Sequence, residues 1–185
     1  MCMKARLVRL AKGILIIWGA FSFVLTIGIV ALFAYQTSFG NRAKENALSP
    51  KDVRFVLGRC GLEQEQVESV THSYVSSRSF SGDHLDAYAI KISNIADAEL
   101  QPRADAGSLK WYRGDALPEL LNEAIKSVSA SRQKIPWFPA EAELRTSDFY
   151  VYPWMIRCNG LDPSAATLIF VRRSDRMLFY LDFKM

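Results

Sequence analysis

Few side chains in this sequence can do chemistry near neutral pH: two histidines, His72 and His84, and three cysteines, Cys2, Cys60 and Cys158. Asp83 and Asp86 stand beside His84, and two imidazoles with a carboxylate make a zinc set only if they converge. A hairpin centred near residue 80 pairs His72 near Ala89 and His84 near Ser77, which keeps the rings apart. Convergence needs a turn centred on residue 78, ahead of the stronger signal at Gly82-Asp83. The spacing therefore predicts no metal centre, and both histidines read as hydrogen-bonded surface groups.

Nucleophilic chemistry has no better support. Cys60 with His72 is a conceivable thiolate pair, and several serines lie within reach of His84 in sequence, but no nucleophile elbow surrounds any of them. Cys60 ends an apolar helical stripe and reads as core. The carboxylate pairs Asp83 with Asp86 and Glu141 with Glu143 fit solvated turns. Glycines are scattered, so no phosphate-cradling loop and no cofactor motif is present. The Arg113-Gly114-Asp115 triplet matches an adhesion tripeptide, yet Asp115 is wanted there as a helix cap.

Two surface features carry binding readings. Arg172, Arg173 and Arg176 surround Asp175 in a hairpin tip, which reads as a solvated turn guarding the sheet from edge pairing. Its functional reading is an anionic contact with a lipid headgroup, a wall polymer or an acidic protein patch. The second is aromatic: Trp137, Phe138, Phe149, Tyr150, Tyr152 and Trp154 crowd one stretch. Period two puts Tyr150, Tyr152 and Trp154 on one side of a strand and Phe149 and Val151 on the other. Prolines flank Trp137-Phe138, so that pair either plugs the core or waits for a partner. The candidate partner surface is accordingly Trp137, Phe138, Tyr150, Tyr152 and Trp154.

What positions these groups begins with residues 13–35, which carry no charged side chain. At about 1.5 Å per residue they form a helix of about 34 Å, long enough for a bilayer of about 30 Å. Lys4, Arg6, Arg9 and Lys12 precede the run, and no acidic residue occurs before Glu45. Of 23 basic and 19 acidic residues, those four account for the whole net charge of +4. The remainder is neutral, so the basic surplus predicts topology and no nucleic-acid partner.

The positive-inside rule puts residues 1–12 in the cytoplasm and the rest in the periplasm or outside, anchored in the plasma (inner) membrane by a single uncleaved pass through residues 13–35. A signal peptide is the competing reading. Its apolar region is shorter, about 7 to 15 residues, and ends at a small-x-small site, whereas Gln36-Thr37-Ser38-Phe39-Gly40 follows here. Outside the cytoplasm Cys60 and Cys158 allow one disulfide, which would restrict the unfolded chain by about 4 to 5 kcal/mol on the entropy account. Two separately buried thiols are the alternative.

Residues 36–48 read as a juxtamembrane stalk and 49–185 as one α+β domain. Ser49-Pro50-Lys51-Asp52 starts a helix that buries Val53, Val56, Leu57 and Cys60 and stops at Gly61. Strands follow over 67–76 and 85–92. Asn94 caps one helical turn through Leu100, ended by Pro102. Leu117, Leu120, Leu121, Ala124, Ile125 and Val128 mark a second helix over 116–131 capped by Asp115. Three strands close the chain, over 149–157, 167–171 and 177–183, with Pro153 at an edge or a bulge. The order predicts an antiparallel sheet of about five strands with two main helices on one face.

These features lead to a membrane-anchored, non-catalytic protein-binding or accessory factor of the cell envelope, inhibitor or immunity-type roles included. The alternative is an extracytoplasmic hydrolase or metal-dependent enzyme using His72 or His84.

Overall fold

The computed structural model describes residues 2–35, 42–100, 110–131, 133–160 and 162–185. An amino-terminal helical unit is followed by a compact domain, Ala43–Met185. In the first unit α1 (Cys2–Tyr35) is one unbroken helix that takes in the basic flank. From Lys12 to Tyr35 it is long and apolar enough to cross a membrane, and its side chains from Ile14 onward are exposed. Thr26, polar within this run, donates its hydroxyl to the Ser22 carbonyl at 2.8 Å, which satisfies it without a partner helix.

The domain is built on one antiparallel sheet of seven strands, not about five. Its strands are β1 (Lys44–Glu45), β2 (Val67–Val75), β3 (His84–Ile92), β4 (Tyr112–Arg113), β5 (Phe149–Asn159), β6 (Asp162–Arg172) and β7 (Met177–Lys184), in the spatial order β1-β2-β3-β7-β6-β5-β4. The two additional strands are the edges, each of two residues, too short to leave a periodic signal. β1 lies in the stretch read as a stalk: Lys44 and Glu45 pair with Val75 and Tyr74. Asn46 then turns with φ 50° and exchanges hydrogen bonds with Ser73 through its amide and its side-chain oxygen. Residues 43–48 thus belong to the domain, while 36–41 of the expected stalk lie outside the described residues.

Helices cover both faces of the sheet rather than one. α2 (Pro50–Arg59) packs over Tyr88, Ile90, Ile169, Leu178 and Tyr180, while α3 (Glu119–Ser131) and α4 (Glu141–Leu144) cover Ala87, Ala89, Leu168, Phe170 and Leu181. Strands covered on both faces need no polar alternation, and residues Ala165 to Val171 of β6 are buried without interruption.

Local chemistry fixes the helix ends. The Asp52 carboxylate accepts from both the amide and the hydroxyl of Ser49 at 2.7 Å, and these bonds hold its pKa below the usual carboxylate value. Gly61, at φ 76°, takes the left-handed conformation that ends α2. α3 starts at Glu119, after Pro118, and Asp115 is not its cap: the carboxylate is held by the Arg113 guanidinium at 2.5 and 2.9 Å. Gly114 between them is buried, and a Cβ there would lie 2.3 Å from the Leu144 carbonyl oxygen. Before it, the expected helical turn is a 3-10 turn, Asp97–Leu100; Pro102, read as its stop, lies outside the described residues.

Two bulges re-aim side chains. One between Val70 and His72 leaves Val70 against the α2-side core, while Tyr74 joins the α3-side core. The other, between Pro153 and Met155, is where proline's missing donor costs least.

Candidate functional site

A hydrogen-bonded set of polar groups lies on the face of the sheet that α2 covers. Antiparallel register between β3 and β7 sets Asp86 opposite Asp182 and Tyr88 opposite Tyr180, and β6 adds Thr167 opposite Asp182. Period two then brings all five to one side of the sheet. Tyr88 and Tyr180 stack at 5.0 Å with 10° between their planes. The Tyr180 hydroxyl accepts from Arg59 Nη1 at 2.7 Å and donates to Asp182 Oδ2 at 3.3 Å. Asp182 Oδ1 accepts from Thr167 at 3.0 Å, and Asp86 Oδ2 accepts from Arg78 at 2.6 Å.

Electrostatics follow from burial beside two carboxylates. The Tyr88 phenol is pushed up to about 12, first by desolvation and then by Asp86 and Asp182. Tyr180 is raised as well, first by desolvation and then by Asp182. Both hydroxyls therefore stay protonated as hydrogen-bond donors. Asp86 Oδ1 and Ser73 Oγ are buried with no hydrogen-bond partner among the described residues.

His84 joins this network at its open end. Its Nδ1 lies 2.8 Å from the Gly82 carbonyl oxygen and its Nε2 lies 3.5 Å from Asp182 Oδ2. The ring is thus placed between a carbonyl and a carboxylate, and no serine hydroxyl is among its hydrogen-bond partners in the described residues. His72 pairs with Ala89, as the hairpin reading expected, and stacks on Trp137 at 5.2 Å and 14°. The two histidines do not converge. Among the described residues no three His, Cys, Asp or Glu side chains gather to hold a metal ion.

Cys60 and Cys158 are free thiols and are not brought together. Cys60 is buried at the end of α2, its thiol turned on the carbonyls of Val56 and Leu57. Burial pushes its pKa up to about 12, the reverse of what a nucleophile needs. Cys158 lies exposed near the end of β5.

The five aromatics read as one partner surface do not form one. Phe138 is buried among Phe170 and Phe179 on the α3 side, with Trp137 half-buried beside it. Tyr150 and Tyr152 pack half-buried against the α2-side core, and of the five only Trp154 is exposed, at 39%. A loop and a strand separated by the sheet cannot share a surface.

Trp154 has other company: the Arg59 guanidinium lies over the rings of Phe55, Trp154 and Tyr180 at 4.8, 5.7 and 5.9 Å. Phe55 is 40% exposed. Two open aromatics thus flank a cation whose Nη1 is already held by Tyr180.

The arginines of the hairpin make local contacts: Arg172 is half-buried, while Arg173 and Arg176 are exposed. Arg172 binds Asp175 through Nε and Nη2 at 2.9 and 2.7 Å, an interaction that lowers the Asp175 pKa, and lies over the Phe149 and Phe179 rings. Arg176 Nη1 donates to the Ser93 carbonyl at 2.6 Å. Arg173 lies over the Tyr150 ring.

Sequence reasoning missed Arg59, Phe55 and the Asp86–Asp182 pair. A signal was present: Asp86-x-Tyr88 and Tyr180-x-Asp182 carry the same two residue types in reverse order, as two antiparallel strands need in order to align like residues across one face. Compared with known protein families, curated proteins and solved structures, the chain matches none.

Proposed function

We propose that this chain is a single-pass envelope protein whose α+β domain binds another envelope protein and performs no chemistry of its own. Residues 13–35 are its membrane anchor, the basic amino-terminal flank stays in the cytoplasm, and the domain faces the periplasm or the exterior. The four basic residues before the apolar run support that direction. An inhibitor or an accessory subunit of a membrane complex are both forms of this reading.

The observation that carries it is the Phe55–Arg59–Trp154 cluster. Aromatic residues and arginine dominate binding hot spots because they combine large apolar area with directed polar contacts. The domain's other exposed large apolar residues, Phe80 at 97%, Met185 at 59% and Leu120 at 48%, have no ring or guanidinium stacked on them among the described residues. The raised Cys60 pKa, and the placing of His72 against Trp137 and of His84 beside Asp182, argue against a catalytic alternative.

Photocrosslinking in intact cells tests the reading. With benzoylphenylalanine in place of Phe55 or Trp154, a discrete adduct with a second envelope protein is expected. The same group in place of Phe80 or Leu120 should give none. Adducts of equal yield from all four positions, or none from the first two, would remove this surface.

A further inference from the structure

Where β2 and β7 end and β3 begins, the α3-side core opens into a cleft of about 540 Å³. Its floor is apolar: Tyr74, Leu85 and Phe183 are all buried residues of that core. Its rim is cationic. Lys134 comes from the segment after α3 and has no ion-pair partner among the described residues; Lys184 comes from the end of β7. Lys184 Nζ donates to the Ser81 carbonyl, which holds the ammonium at the rim with donors to spare.

One carboxylate, Asp83, shares the rim, held by two serines and acted on by the Lys184 charge. Ser81 Oγ donates to it at 2.5 Å and the Asp83 amide donates to Ser79 Oγ at 2.7 Å; the two serines lower its pKa. Ser76 Oγ accepts the Leu85 amide at 2.8 Å and keeps its own hydrogen for an acceptor in the cleft. His84 also lines it. Two ammonium groups and a hydroxyl donor therefore stand above a floor of rings and hydrocarbon.

We propose that this cleft binds a small amphiphilic carboxylate, an organic acid with a phenyl or short alkyl body. The apolar body would cover Tyr74, Leu85 and Phe183, and the carboxylate would lie between Lys134 and Lys184. The volume is that of a small-molecule site, and an apolar floor with a few convergent polar groups is the usual form of one. Free phosphate supplies the charge without the body, and an amine supplies the body with the wrong charge. The proposal goes beyond the protein-binding reading and uses none of its three residues.

Calorimetric titration of the full-length protein in phosphatidylcholine nanodiscs, with empty discs as blank, tests it. Phenylbutyrate is the probe, with phenylbutylamine and inorganic phosphate as comparisons. Phenylbutyrate alone is expected to bind, and Lys134→Ala combined with Lys184→Ala should weaken it roughly tenfold or more. Unchanged thermal unfolding of the double variant keeps that result interpretable. The proposal is overturned by equal binding of phenylbutylamine or phosphate, by undiminished binding to the double variant, or by no phenylbutyrate binding in the millimolar range.

Discussion

The two faces of the sheet are made by the same strands and differ in chemistry. Under α3 and α4 the contacts are rings and hydrocarbon: Phe138 meets Phe170 and Phe179 edge-on, each at 5.7 Å. Under α2, alternate positions of the same strands supply Asp86, Tyr88, Tyr180 and Asp182, tied to Arg59, Arg78 and Thr167. Hydrocarbon burial stabilises without condition, whereas buried polar groups must first recover the water they lose. Networks of this kind are weak evidence for stability. The difference teaches where to look: the α3 side is held by apolar packing, whereas the α2 side adds a polar network and the open Phe55–Arg59–Trp154 cluster, the proposed partner surface, to an apolar core of its own.

The largest expected effect is a test of that division. Phe138 is buried and fills the space between α3, α4 and the sheet. Phe138→Ala should cost about 3 to 5 kcal/mol, the range for a buried ring whose cavity cannot collapse. A urea midpoint measured on the anchored protein reads it. A loss below about 1 kcal/mol would mean that the α3 side is loosely packed, and the contrast would fail at its stronger end.

The same contrast explains what the sequence could and could not reveal. Periodicity located α2 and most of α3, because Val53, Val56 and Leu57, and Leu121, Ala124, Ile125 and Val128, each share one helix face and are buried. It located the long strands as well. The second helical layer is not contained in β-propensity over 167–171 and 177–183; its mark is that Ala165 to Val171 and Leu178 to Leu181 are buried without alternation. Unbroken burial is the mark of a strand covered twice. The edge strands carry two residues each and their pairing is tertiary. Trp137 and Trp154 looked equivalent in composition, yet side-chain exposure depends on the bulge at Pro153 and on a loop path that no local pattern encodes. Arg59 was invisible as a site residue because its three rings come from α2, β5 and β7.

A smaller effect comes from alkaline pH and falls on the α2 side. The Cys60 thiol has a pKa near 9.0 when exposed and about 12 in the folded domain. Its contribution to stability is complete below pH 9 and is lost as pH rises toward 12, because the unfolded chain releases that proton first. The slope is roughly a kilocalorie per pH unit over that window. Tyr88, raised from 10.0 to about 12, adds to it above pH 10. Urea midpoints between pH 8 and 11 should therefore fall, and Cys60→Ala should flatten the part of the decline that begins near pH 9. An unchanged slope in that variant would place the alkaline weakness elsewhere.

The smallest expected effect sharpens the comparison most. Tyr180→Phe keeps the ring against Tyr88 and Phe55 but removes the hydroxyl that links Arg59 to Asp182. Arg59 retains the Phe55 and Trp154 rings, and Asp182 retains Thr167. The cost should be about 1 kcal/mol, that of one hydrogen-bonding group whose partners are otherwise held. A double-mutant cycle with Arg59→Ala should return a coupling of about 0.5 to 1.5 kcal/mol. Because the hydroxyl fixes the guanidinium between two open aromatics, Tyr180→Phe should also reduce the crosslinking yield at Trp154 by more than its small stability loss explains. A destabilisation equal to that of Phe138→Ala, with crosslinking unchanged, would make the polar network under α2 as structural as the ring packing under α3 and end the distinction between the faces.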